Sequence, residues 1–252
     1  MIIREHPSHF ICIEQNHHAH LAYEIMSHWQ YVFMKNDPYV DSVLYAVKHH
    51  DIGWDYFDRE PLWNDKMNQP YTFIDLPLLI KTVLYTYGVD LVETKNAYAG
   101  ALCSAHYTKF LNKYDTPEVQ QYIKKEEMRR NKFFQSYPEI EHEIFLRHLN
   151  LLQLGDHVSL FICLHESGNN EERHRYFAKG IPLGNLIEGF KQSVLEPFWL
   201  DEKTIVFKNL PKVKSFSITI KEKIISKNHI KEKGFLQTYK ETPYSDRIIW
   251  FK

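Results

Sequence analysis

Between residues 38 and 47 the apolar positions recur at helical spacing. Val40, Val43, Leu44 and Val47 share one face, with Asp37 placed as N-cap and Pro38 in the first turn. Carried forward, that stripe reaches His50 and Asp51, so an imidazole and a carboxylate stand where core residues belong. The same test along the chain selects three more residues. His18 shares a face with Leu21, Ala22, Ile25 and Trp29, whereas His17 and His20 fall on the solvated side of Glu24 and His28. His106 lies with Ala99, Leu102, Cys103 and Phe110; Asp156 lies with Leu149, Leu152, Leu160 and Cys163. Four predicted helices each aim a polar group at an interior.

The remaining pattern predicts helices over most of the first four-fifths of the chain. Phe10 to Glu14 reads as a short strand leading into the first helix, and helices resume at Leu78 to Tyr87 and Asn96 to Tyr114. Between them, Gly53 to Pro77 contains Pro61, Pro70 and Pro77 and reads as a long structured loop, a length that usually accompanies a function such as lining a site. Pro117 opens a charged segment, Glu118 to Phe134, which reads as a solvated helix face. Pro138 starts the helix carrying Asp156. The tail changes character: Thr204 to Phe207, Ser215 to Ile220 and Arg247 to Phe251 are β-branched or aromatic, and Ser215 to Ile220 alternates strictly. The expectation is a mainly α protein with a small C-terminal antiparallel sheet, divided as 1–200 and 201–252, with the tail lysines (Lys212, Lys221, Lys223 and Lys227 among them) protecting strand edges.

Burying an unpaired carboxylate is costly and is offset by a cation, hydrogen bonds or a metal ion. Imidazole nitrogen with carboxylate oxygen suits a divalent transition metal, Mn, Fe, Zn, Ni or Co, as one ion or two. The expected ligands are His18, His50, Asp51, His106 and Asp156, a set that leaves room for water or substrate as catalytic sites do. Taken singly, an inward histidine is more often a hydrogen-bonded core residue than a ligand; it is the convergence that points to metal. His157 rotates off the stripe, and His142 and His148 are candidates for a second ion whose direction nothing fixes.

The order of these residues resembles the HD-domain superfamily of metal-dependent phosphohydrolases, whose pattern is a His, then a His-Asp doublet, then a late Asp. His18, His50-Asp51 and Asp156 match it, and His106 matches the extra His of some branches, two-metal ones included. The words Gln15-Asn16-His17-His18-Ala19, His50-Asp51-Ile52-Gly53-Trp54, Gln69-Pro70-Tyr71-Thr72-Phe73 and Leu152-Gln153-Leu154-Gly155-Asp156 look like one bacterial branch known only as a domain of unknown function. The resemblance implies an HD-like helical bundle and a hydrolase of a small phosphate ester or nucleotide-like substrate, acting through a metal-activated water. Asp55, one turn after Asp51, is the expected general acid or base, and Gln153 the expected partner of a ligand or water. Where some members carry Glu three residues after the doublet, this chain has Trp54, which departs from the standard nucleotidase pattern. Two other readings stay open: an HD-type di-iron oxygenase, and a non-catalytic metal-stabilised ligand-binding protein.

Composition narrows the partners. The 252 residues carry a formal charge of −1, which leaves no electrostatic footprint for nucleic acid or an anionic membrane. A small-molecule substrate is expected, and self-association into a homo-oligomer is left open. Cys12, Cys103 and Cys163 show no paired spacing, two of them lie on predicted core faces, and no signal peptide is evident, so a reducing cytoplasm is expected. Lys48, Lys81 and Arg147 are the candidate phosphate-binding cations; Trp54, Tyr71 and Phe73 wall a pocket or simply anchor their loop.

Overall fold

The computed structural model describes residues 1–183, 193–208, 210–211 and 213–252. The chain opens with the hairpin β1 (Ile2–Glu5) and β2 (His9–Ile13), then passes into α1 (Gln15–Phe33). A turn follows in which Asp37 Oδ1 accepts from the Tyr39 amide at 2.9 Å. The carboxylate thus takes an orphan amide just ahead of α2 (Val40–His49). A 3₁₀ turn at Ile52–Trp54 leads to α3 (Asp55–Arg59) and the two-residue strands β3 (Trp63–Asn64) and β4 (Gln69–Pro70). The helices α4 (Leu78–Lys95), α5 (Ala97–Leu111), α6 (Pro117–Ser136) and α7 (His142–Leu164) complete the helical body. After it come β5 (Ile181–Pro182), β6 (Val194–Leu195), β7 (Pro197–Asp201), β8 (Thr204–Phe207) and β9 (Phe216–Ser226), then α8 (Lys227–Lys233), α9 (Phe235–Glu241) and β10 (Ser245–Phe251).

The sheet corrects the expected fold class. Instead of a mainly α HD-like bundle with a small C-terminal sheet, the molecule has a six-stranded curled half-barrel in the order β1-β2-β9-β10-β8-β7. The N-terminal hairpin is built into it: β2 pairs antiparallel with β9, Phe10 opposite Ile225 and Cys12 opposite Lys223. Among the described strands only the β10–β8 pairing is parallel. The physical reason is that a strand's amides and carbonyls must be paired. Those of β2 find partners more than two hundred residues away, which no local pattern discloses.

Alternation explains how the sheet is covered on both sides. Phe216, Ile218 and Ile220 of β9 face the helical core with Ile13, Trp29 and Phe251. Further along, Ile225 joins Phe10 and Cys12 in a second, smaller core closed by Phe235 and Tyr239 of α9. The tail lysines divide accordingly. Lys227, Lys231 and Lys233 lie on α8, and Lys221 on β9 is exposed. Lys223 is buried and donates to the Tyr239 carbonyl at 2.8 Å; Lys212 lies outside the described residues.

Helices α1, α2, α5 and α7 pack on one another; α1, α5 and α7 carry His18, His106 and Asp156, and His50-Asp51 directly follow α2. The turn after α2 is pressed against α4. A Cβ at Gly53 would lie 2.2 Å from the Leu84 carbonyl oxygen, and one at Gly88 would lie 3.0 Å from the Gly53 nitrogen. Two glycines thus let backbones touch where the His50-Asp51 segment turns. α4 runs eight residues past its expected end at Tyr87 because Gly88 is used for this crossing, not for a stop. All three cysteines are free and buried, and no helix among the described residues is long and apolar enough to cross a membrane.

Candidate metal centre

Five buried side chains converge where α1, α2, α5 and α7 meet: His18, His50, Asp51, His106 and Asp156. His18 Nε2 lies 3.4 Å from Asp51 Oδ2 and 3.2 Å from Asp156 Oδ1. His50 Nε2 lies 3.6 Å and 3.7 Å from the same two oxygens. On the far side, His106 Nε2 is 3.7 Å from Asp156 Oδ2. Two triads, His18–His50–Asp51 and His50–His106–Asp156, each place their donor atoms within 4.8 Å of one another, a spacing that could hold a metal ion. They share His50, and the two oxygens of Asp156 span the space between them.

The hydrogen bonds behind these rings fix which nitrogen faces the cluster. His50 Nδ1 is 2.8 Å from the Val47 carbonyl, an acceptor, so Nδ1 carries the hydrogen and Nε2 the lone pair. His18 Nδ1 is 2.7 Å from Ser159 Oγ, whose own hydrogen goes to the Asp156 carbonyl at 3.0 Å. Ser159 therefore accepts from His18 Nδ1–H, and His18 too presents a lone pair at Nε2. Neither Nε2 has a hydrogen-bond partner, although both are fully buried. With both rings neutral, two lone pairs and two carboxylates would point at one another with no donor between them. That arrangement is repulsive by itself and fits a cation, with the outer hydrogen bonds orienting the ligands as in metal–histidine sites.

The electrostatics say the same in another way. Burial alone would depress the His18 imidazole, but Asp156 and Asp51 outweigh it and lift it to about 9. Burial works against His50 too, and the same carboxylates, Asp51 foremost, raise it. Burial would raise Asp51 and Asp156, yet the neighbouring imidazoles hold both below the usual carboxylate range. For His106, burial dominates the attraction of Asp156 and lowers it to about 3, which keeps the ring neutral. The pair of carboxylates demands positive charge between the rings, and a divalent ion satisfies that demand more fully than a proton.

The cluster forms part of the wall of a cavity of about 560 Å³. His50, Asp51, His106 and Asp156 line it, while His18 sits behind. Of the loop expected to line a site, Trp54, Phe73 and Ile74 do so and Tyr71 does not. Asp55 is not brought to the cluster: the 3₁₀ turn rotates it outward, where it pairs with Arg59. Gln153 accepts from Lys109 Nζ at 2.7 Å and does not line the cavity. Among the expected cations, Lys81 lines it, whereas Lys48 lies over the Tyr23 ring and Arg147 pairs with Asp37. His148 is held between Tyr98 and Asp37, and His142 packs on Phe134; neither is at the cluster.

Sequence reading missed Ser159 and Tyr107. Ser159 stands three residues after Asp156 on the same face, a spacing that could have found it. Tyr107 is adjacent to His106; its hydroxyl donates to Asp51 Oδ1 at 2.7 Å and its ring stacks on Tyr85. Nothing in the local pattern pairs Tyr107 with a residue fifty-six positions away.

Compared with known proteins, residues 1–227 match the model of a family described as "Protein of unknown function (DUF3891)". No curated protein and no solved structure matches the chain.

Proposed function

The chain belongs to the DUF3891 family, and we propose that it is a metal-dependent hydrolase of a small phosphate ester, built around one divalent transition metal ion. The observation that carries this reading is the pair of unpartnered imidazole nitrogens facing two carboxylates beside an open cavity. His18, His50, Asp51 and Asp156 would hold the ion, with His106 as a fifth ligand from the cavity side. Their order along the chain is that of the HD-type phosphohydrolases, which supports the choice of reaction. A divalent ion bound here supplies a water of lowered pKa and polarises a phosphoryl oxygen.

The chain's own residues supply orientation. Ser159 and the Val47 carbonyl hold the His18 and His50 rings in the tautomer that presents Nε2. Tyr107 ties down Asp51 Oδ1 and leaves Oδ2 toward the histidines. Because Asp55 pairs with Arg59 at the surface, it is given no part in the reaction. The di-iron oxygenase reading is less favoured, since the two triads share His50 and a second iron would need further ligands, while His142 and His148 are engaged elsewhere.

The deciding experiment is metal analysis by mass spectrometry on protein purified without chelator or a nickel column, beside His50→Ala. A single Mn, Zn, Ni or Co per chain, lost in the variant, followed by turnover in a phosphate-ester screen, supports the proposal. Paired irons would transfer it to the oxygenase, and no metal after reconstitution would end it.

A further inference from the structure

The cavity contains more than the metal cluster. Among the described residues its only carboxylates are Asp51 and Asp156, both committed to the histidines, yet three cations also line it: Lys81, Lys113 and Arg175. Lys81 is buried on α4 and spends one of its three N–H bonds on the Ile74 carbonyl, at 2.8 Å. Lys113 follows α5 and Arg175 lies beyond α7; both are exposed, and each sits over a neighbouring tyrosine that also lines the cavity, Tyr114 and Tyr176. Asp75, the acid nearest Lys81 in effect, is occupied by Thr72 and Asn64. Burial disfavours the ammonium form of Lys81, and the charge of Lys113 adds to that effect while Asp75 opposes it. An anion from outside would relieve both effects.

The rest of the lining is apolar or aromatic, with Trp54, Phe73, Tyr85, Phe110 and Leu160 in the wall. Groups able to read the edge of a nucleobase are scarce. Tyr107 is engaged by Asp51, which leaves Gln15 Oε1, Trp54 Nε1 and His157 Nδ1 as the unpartnered buried polar atoms of the lining outside the cluster among the described residues. Specific recognition of a hydrogen-bonding ligand needs a wall of placed donors and acceptors, whereas an apolar body needs only shape.

We propose that the cavity binds a phosphate monoester whose organic part is a compact apolar ring, the phosphate being recognised by Lys81 with Lys113 and Arg175. This rests on the hydrolase reading for the identity of the anion as a substrate, so the test measures binding, which can fail separately from metal loading. The probes are phenylphosphonate and methylphosphonate, non-hydrolysable anions with the same headgroup and different bodies, titrated by calorimetry into the full chain.

Phenylphosphonate should bind roughly tenfold or more tightly than methylphosphonate, from burial of the ring. Lys81→Met should weaken both probes by roughly ten- to a hundredfold, as expected for loss of a charge-assisted hydrogen bond, with metal content unchanged. The paired variant Lys113→Gln/Arg175→Gln, at exposed positions, should weaken both probes as well and carries the test if Lys81→Met fails to fold. Equal affinity for the two probes would overturn the apolar body, and wild-type affinity in the variants would overturn the cationic recognition. Protein that takes up no metal yet binds phenylphosphonate through Lys81 would sink the hydrolase and keep the anion pocket.

Discussion

Replacing Gly53 by alanine inserts one methyl group where the turn after His50-Asp51 meets α4. Its Cβ would stand 2.2 Å from the Leu84 carbonyl oxygen and 3.2 Å from the Gly88 nitrogen, both backbone atoms that no rotamer change can move aside. α4 is eighteen residues long and is packed by α5 and α6, so the short Ile52–Trp54 turn must yield, and Asp51 with it. Overpacking a close contact costs typically about 1–3 kcal/mol, and an approach this short belongs at the upper end. For a chain of this size that is a fall in Tm of roughly 5–10 °C. Gly88→Ala is the matched comparison. Its Cβ meets the Gly53 nitrogen at 3.0 Å, and the new methyl gains up to ~1 kcal/mol of helix propensity in the interior of α4. Gly88→Ala should therefore be close to neutral. Urea unfolding and a metal-competition titration on both variants check the ordering. If Gly88→Ala costs as much as Gly53→Ala, or Gly53→Ala unfolds within about 0.5 kcal/mol of wild type, the close crossing does not position the Asp51 segment.

Three further outcomes are expected. Ser159→Ala removes the acceptor that orients His18 Nδ1–H, and metal affinity should fall by roughly ten- to a hundredfold with helix content retained in circular dichroism. Burial, aided by Lys113 and opposed by Asp75, lowers Lys81 to about 8, so phosphonate affinity should be full below that pH and decline above it as the ammonium is lost. Calorimetry between pH 7 and 9.5 would show the decline, and Lys81→Arg, which keeps its charge throughout, should flatten it. Cutting the chain after residue 200 removes β8, β9 and β10, strips β2 of its partner and uncovers Trp29 from Phe207 and Phe251. The truncated chain should fail to unfold cooperatively; a sharp transition near the full-length Tm would show that the helices stand alone.

How far the sequence reaches is visible in single residues. His18, His50, Asp51, His106 and Asp156 were legible because a helix repeats its faces every 3.6 residues, so a polar group on an apolar stripe must be buried whatever the fold. Asp55 was misplaced by the same rule. Counting one turn from Asp51 assumes an unbroken α-helix, and the 3₁₀ turn at Ile52–Trp54 advances the chain differently. Lys81 and Lys113 carry no periodic signal that they share a cavity, and Tyr107 none that it reaches Asp51.

The sheet marks the same boundary. Ser215 to Ile220 declared itself a half-buried strand through alternation, a local property. That β9 pairs with β2, and that the N-terminal hairpin closes a half-barrel over α1, follows from hydrogen bonds between residues more than two hundred positions apart. By itself, the sequence determined which side chains turn inward, since periodicity needs only the backbone's own geometry. Only the tertiary structure decided what those side chains meet, because contact across the chain depends on how faces pack, and packing has no period.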